Sequence, residues 1–240
     1  MFSVCALTSG SSGNSILCSN AECGILIDSG ASGREIESRI SAVGDDIRNV
    51  KGLIITHEHS DHINSAGVIG RRYGIPIYIR AKTYTKIADK LNNADIRIID
   101  RHFNIGGYAI ECFPVSHDAV DPIGLIIKYN DYKVGIVTDI GFITGLVLTK
   151  LSGVNGIVVE SNYEDKMLIH SDRPMFLKQR IKSRTGHLSN DDAVKFIGNL
   201  DKSNLKFIML YHISEEHNSY ELAYRKMRDF LDCNNFNNIN

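Results

Sequence analysis

A chain of 240 residues can bury a large core as one domain or two. Its formal charge of −1 exerts no overall pull toward nucleic acid or an anionic membrane, and apolar runs such as 123–127 fall far short of the ~20 residues that span a bilayer. Five cysteines, an odd number without C-x-x-C spacing, argue against a disulfide framework and a zinc ribbon, so reduced thiols are expected.

No basic N-terminal region followed by an apolar stretch and a small-residue cleavage site is present, which reads as a cytoplasmic protein. Residues 3–7 form a strand, followed by the small-residue loop Thr8-Ser9-Gly10-Ser11-Ser12-Gly13-Asn14-Ser15. Such a loop lets backbone N–H groups approach an anion, and a plain tight turn uses the same residues; Asn14 either caps it or meets substrate. A hairpin over 16–18 and 24–28 ends in Asp28, either an acceptor behind a metal-ligand imidazole or a turn carboxylate. A helix over 34–43 carries Ile36, Ile40 and Val43 on one face and stops at Gly44.

The apolar strand Gly52-Leu53-Ile54-Ile55-Thr56 then delivers His57-Glu58-His59-Ser60-Asp61-His62, three imidazoles and a carboxylate beside one strand end. Imidazole and carboxylate are ligands for Zn²⁺ and similar divalent ions. The pattern predicts a helix from 62 to about 74, a strand at 75–79, a helix over 83–91 and a further segment at 95–100. The strand 108–115 hands on Ser116-His117-Asp118, and the hairpin 124–129/133–137 ends in Thr138-Asp139. A strand at 156–159 leads to Glu160-Ser161-Asn162, and a helix follows Pro174. From 166 to 184 the basic residues Lys166, Arg173, Lys178, Arg180, Lys182 and Arg184 face only Asp172. Such a run is either a solvated helix face or a phosphate-binding patch.

Gly186-His187-Leu188-Ser189 places His187 just outside a helix whose start Ser189-x-x-Asp192 has capping-box spacing. The last strand, 205–210, ends in Tyr211-His212, and a helix over 219–231 precedes an Asn-rich tail. The expected organisation is a single hydrolase domain over 1–232, with residues 233–240 a frayed tail.

His117, Asp139 and His212 each follow an apolar strand, as the first cluster does. His57 and His59 with His117 would hold a first ion, and Asp61, His62 and His212 a second, with Asp139 between them. Seven ligands for two ions leave positions open for water, which describes a catalytic site.

These motifs resemble the metallo-β-lactamase superfamily over nearly the whole chain, which implies an α/β fold, a four-layer αββα sandwich with a dinuclear site. The loop 9–15, the stretch 176–181, Gly186-His187-Leu188-Ser189-Asn190, and Tyr211-His212-Ile213-Ser214 with His217-Asn218 look like the small bacterial WalJ (YycJ) type. That group is described as a 5′-to-3′ exonuclease on DNA linked to mismatch repair; Tyr163 is a departure, standing where its pattern has His. The resemblance implies two divalent ions, Zn²⁺ or Mn²⁺, that activate water for attack on a phosphodiester, with Asp61 and His187 as catalytic residues. His187 would protonate the leaving sugar oxygen or contact phosphate, the bland alternative being a residue that packs at the helix start. Asn14, Lys178, Arg180, Lys182, Arg184 and His187 would meet a DNA or RNA substrate, and Asp28 would steady a ligand imidazole. A hydrolase of a small phosphodiester, thioester or lactone would share the metals, and a non-catalytic metal-binding module is a third class. A redox di-iron protein would carry Glu where His59 stands.

Overall fold

The computed structural model describes residues 2–240 and divides into two compact units, residues 2–112 with 119–123, and residues 113–118 with 124–240. The first unit opens with β1 (Ser3–Thr8), β2 (Ser15–Ser19) and β3 (Gly24–Ile27), which are antiparallel neighbours. Next come α1 (Gly33–Ala42), β4 (Val50–Ile54), α2 (Ser60–Ile63), α3 (Ala66–Tyr73), β5 (Ile77–Arg80), α4 (Ala81–Ile87) and β6 (Ile96–Ile99). The strands β1 to β6 form a six-stranded sheet in sequence order, parallel from β3 onward.

Periodicity explains the packing. Ile36 and Ile40, one turn apart on α1, are fully buried with Leu26, Leu53, Ile69 and Ile77, and each such side chain contributes about 1.5–3 kcal/mol. Ser32 caps α1 by accepting from Glu35 N, and Gly44 takes φ +81° beyond its end. The helix read as continuous from 62 to 74 is broken at Asn64-Ser65, because Ser65 N and Oγ both donate to Ser29 O (2.9 and 3.2 Å) and its hydroxyl meets Ser29 Oγ at 2.6 Å. A hairpin of β7 (His102–Ile105) and β8 (Tyr108–Pro114) turns on Gly106-Gly107, both at positive φ as a tight two-residue turn requires.

The second unit holds the body of β9 (Ile123–Tyr129), then β10 (Tyr132–Val137), α5 (Gly145–Leu151), β11 (Gly156–Glu160), α6 (Asp165–His170), α7 (Met175–Ile181), α8 (Asn190–Asn199), β12 (Phe207–Tyr211) and α9 (Tyr220–Cys233). The strands β9 and β10 pair antiparallel, whereas β10, β11 and β12 run parallel. Ser189 and Ser219 cap α8 and α9, and Ala193, Phe196, Ile197, Met227 and Leu231 bury their inner faces.

Near the C-terminus Ile239 is buried in the core, Asn240 N donates to Lys206 O (3.0 Å) and Ile208 N to Asn240 O (2.8 Å). The five cysteines are free thiols, as expected. Among the described residues no helix is long and apolar enough to cross a membrane.

Candidate active site

In the first unit, chemistry gathers where β3 and β4 end side by side, with Ile27 paired to Ile54. Asp28 leaves β3 at φ +59°, a left-handed conformation, while its N–H still donates to Ile54 O at 2.8 Å. Its Oδ1 accepts from Thr56 N (2.8 Å), and its Oδ2 accepts from Thr56 Oγ1 (2.7 Å) and His62 Nδ1 (2.7 Å). With its proton given to Asp28, the Thr56 hydroxyl oxygen is left to accept from His57 Nδ1 at 3.0 Å. One buried carboxylate thereby fixes His57 and His62 in the tautomer protonated on Nδ1, with the lone pair on Nε2.

The rest of the motif is crowded onto this pair. The His57 ring lies 4.6 Å edge-on from His59 and 4.1 Å from His62. Asn14 Nδ2 donates to both Asp61 Oδ2 and His62 Nε2 at 3.1 Å, so those two lone pairs converge on one point. Asn14 is fully buried, and its Oδ1 accepts from Gly10 N at 3.1 Å, so it holds Asp61 and His62 in place. Gly30 makes this approach possible, since a Cβ there would stand 1.6 Å from Asp61 O and 2.5 Å from Asn14 N.

The second unit repeats the device at the ends of β10, β11 and β12. Asp139 and His212 leave their strands at φ +51° and +53°. Between them Glu160, fully buried, accepts on Oε1 from His187 Nδ1 (2.7 Å) and His212 Nδ1 (2.8 Å), and on Oε2 from Ile140 N (3.0 Å) and Leu188 N (3.1 Å). Burial alone would lift the Glu160 carboxyl, but the His187 charge and the hydrogen bonds from both imidazoles outweigh it and hold it below its ordinary value. Burial lowers His187, whereas the Glu160 charge and hydrogen bond raise it further, leaving it above the ordinary imidazole value.

His117 donates from Nδ1 to Gly186 O (3.1 Å), and its Nε2 lies 3.8 Å from Asp139 Oδ1. Burial, stronger than the pull of Asp139, lowers its pKa. Asp139, Glu160, His187 and His212 each offer a donor atom within 4.8 Å of the others.

Residues 24–213 match the family model of the beta-lactamase superfamily domain. The chain belongs to the metallo-β-lactamase superfamily. It is 34% identical over 235 residues to "Exodeoxyribonuclease YycJ" of Bacillus anthracis, covering 96% of this chain and 89% of that protein. It is equally 34% identical over 233 residues to "Exodeoxyribonuclease WalJ" of Streptococcus pneumoniae, covering 94% and 87%. The metallo-β-lactamase fold protein YhfI of Bacillus subtilis superposes with a TM-score of 0.76 at 14% identity, covering 96% of this chain and 93% of its own, a likeness of fold.

As a metallo-β-lactamase superfamily member the chain is a hydrolase, and its His and Asp clusters suit a divalent metal. The donor set passes the chemical test for such an ion, being imidazole nitrogens turned by Nδ1 hydrogen bonds and carboxylates whose lone pairs converge with them. Glu160 is a different case, because four donors already occupy its oxygens and it serves to orient His187 and His212.

The basic residues of the superfamily domain have partners of their own. Lys178 Nζ donates to Ile169 O (2.8 Å) and Ser171 O (2.6 Å), fastening α7 to the end of α6. Arg180 pairs with Asp118 (2.7 Å), Lys182 with Asp165 (2.6 Å), and the Arg184 guanidinium sits 3.8 Å over the Phe142 ring. Tyr163, the departure from the family pattern, is buried, and its carbonyl accepts from Asn190 N at 2.9 Å.

Sequence reasoning passed over Glu160 and Thr56. Glu160 had the same signal as Asp139 and His212, a polar residue directly after an apolar strand, and was legible by that rule.

Proposed function

We propose that the protein is a metal-dependent exonuclease that degrades DNA from the 5′ end. The observation that carries the reading is its likeness, along nearly the whole chain, to proteins named exodeoxyribonucleases. On the superfamily pattern His57, His59, Asp61, His62, His117, Asp139 and His212 would hold the divalent ions. When bound, such ions polarise a phosphate oxygen and acidify water. The metals best suited to these ligands are Zn²⁺ or Mn²⁺.

The chain's own residues supply the rest. Asp28, directly and through Thr56, keeps the protons of His62 and His57 on Nδ1, so that Nε2 is the nitrogen that would ligate. Glu160 holds a proton on His187 Nδ1 and favours the imidazolium form, so His187 is suited to protonate the leaving 3′ oxygen from Nε2. Asp61 is a ligand that also orients the attacking water. Arg180, Lys182 and Arg184, all close in sequence to His187, contact phosphates by exchanging weak exposed partners for them. The place of action is the cytoplasm, with DNA as partner.

The test is cleavage of DNA labelled at the 5′ or the 3′ end by metal-loaded protein, beside a thioester and a lactone. The expected result is early release of labelled mononucleotide from the 5′-labelled strand, with a ladder of shortening fragments from the 3′-labelled one. Hydrolysis of the thioester or lactone with intact DNA would replace the substrate and keep the hydrolase.

A further inference from the structure

The helices α6 and α7 carry an unusual surface. No residue of α7 is buried, and Met175 and Phe176 are both 66% exposed, with Ile169 at 54% and Met167 at 38% on α6. Lys178 binds the carbonyls of Ile169 and Ser171, which draws this apolar turn together. Interleaved with it are Lys166, Arg173, Arg180 and Lys182, the last three in ion pairs with Glu216, Asp118 and Asp165 that lie at the surface and that a phosphate can displace. An apolar patch on a soluble protein marks a binding surface. Protein-binding patches are depleted in lysine, whereas aromatic side chains among basic ones describe a single-stranded nucleic-acid platform.

The patch is also continuous with the chemistry. His187 N donates to Ile181 O (2.9 Å), Ser116 Oγ to Arg184 O (2.8 Å) and Asp118 N to Thr185 O (3.0 Å), so the end of α7 is bound to the loop that carries His117. A strand whose scissile phosphate lies beside His187 has α7 as its neighbour.

We infer that the outer surface of α6 and α7 binds the single-stranded part of the DNA, with Phe176 stacking on a base and Lys166, Arg173, Arg180 and Lys182 meeting phosphates. This rests on the nuclease reading. It adds a preference for strands that carry bases over bare sugar-phosphate backbone.

The test is fluorescence anisotropy in chelator, with labelled oligothymidine and an abasic strand of equal length, for the wild type, Phe176→Ala and Phe176→Trp. The wild type is expected to bind oligothymidine more tightly, and Phe176→Ala to lose roughly 5- to 150-fold, toward the abasic level. Its salt dependence stays the same, because no phosphate contact is lost. Phe176→Trp restores binding, and the unfolding midpoints of both variants match the wild type because the side chain is exposed. Equal wild-type affinity for both strands, or an unchanged Phe176→Ala, overturns the inference while leaving the nuclease reading intact. Failure of the wild type to bind oligothymidine likewise overturns the inference, while the nuclease reading stands or falls on the cleavage assay.

Discussion

Glu160→Gln isolates the residue on which the second unit's site is hung. The change preserves shape and removes the charge, yet it also replaces one acceptor oxygen with an N–H₂ donor. Four donors surround the carboxylate, the Nδ1 atoms of His187 and His212 on one oxygen and the backbone N–H groups of Ile140 and Leu188 on the other. Turned toward the backbone, the amide opposes two N–H groups that cannot change. Turned toward the rings, it forces the imidazoles to move their protons to Nε2, the atom needed for ligation or proton transfer. Hydrogen bonds to a charged acceptor contribute about 1.5–3 kcal/mol each, so losing two and relaxing partly should cost about 3 kcal/mol. For a chain of this length that is roughly 5–10 °C in the unfolding midpoint. Metal affinity should fall about 10- to 100-fold, as for other acceptors behind ligand imidazoles. Thermal unfolding by circular dichroism and metal competition with a chromogenic chelator read the two effects. A variant that melts within about 1 °C of the wild type and binds metal equally well would refute the role given to Glu160.

Other perturbations reach separate parts of the account. Gly30→Ala would drive a Cβ to 1.6 Å from Asp61 O, so the Asn14–Asp61 contact must break; reduced metal content in the folded variant is the expected readout, and wild-type content would contradict it. His187→Ala should lower turnover about 10²- to 10⁴-fold on ordinary DNA. The loss should largely disappear when the leaving 3′ oxygen is replaced by sulfur, which departs without a proton; an equal loss on both substrates would point to binding instead. His217 is lowered first by burial and then by Arg173 and Lys178, against the opposing pull of Glu216. Because the folded state then takes up its proton less readily than the unfolded state near pH ~6.5, stability should be full above that pH and decline as pH falls below it. His217→Asn should flatten that decline in melting curves between pH 5 and 7, and an unchanged slope would assign it to other groups.

Much of this arrangement could be read from residues alone, because strands of Ile, Val and Leu are easily recognised and each gives its polar residue to one sheet edge. That rule finds His57, His117, Asp139 and His212. The left-handed backbone at Asp28, Asp139 and His212 is less legible, since Asp and His tolerate it by type but most of them elsewhere in a chain do not adopt it. The fate of the basic run was hidden for another reason. Asp118 lies 62 positions from Arg180 and Glu216 lies 43 from Arg173, so only folding brings the partners together. Helix α5 escaped notice because it begins at Gly145 behind the Thr144 cap, and β7 because Phe103 and Ile105 alternate with His102 and Asn104 over only four residues. In the Asn-rich tail, Phe236 and Ile239 pack on the core, a contact its composition does not announce.

The most direct measurement of the central claim is a titration of Mn²⁺ or Zn²⁺ into chelator-stripped protein, with bound metal and release of mononucleotides from the 5′ end of DNA followed in the same sample, beside Asp61→Ala. The account predicts release that rises with bound metal and is absent from the variant. Protein that carries its metal yet leaves DNA intact, or an Asp61→Ala variant that cleaves as the wild type does, would contradict it.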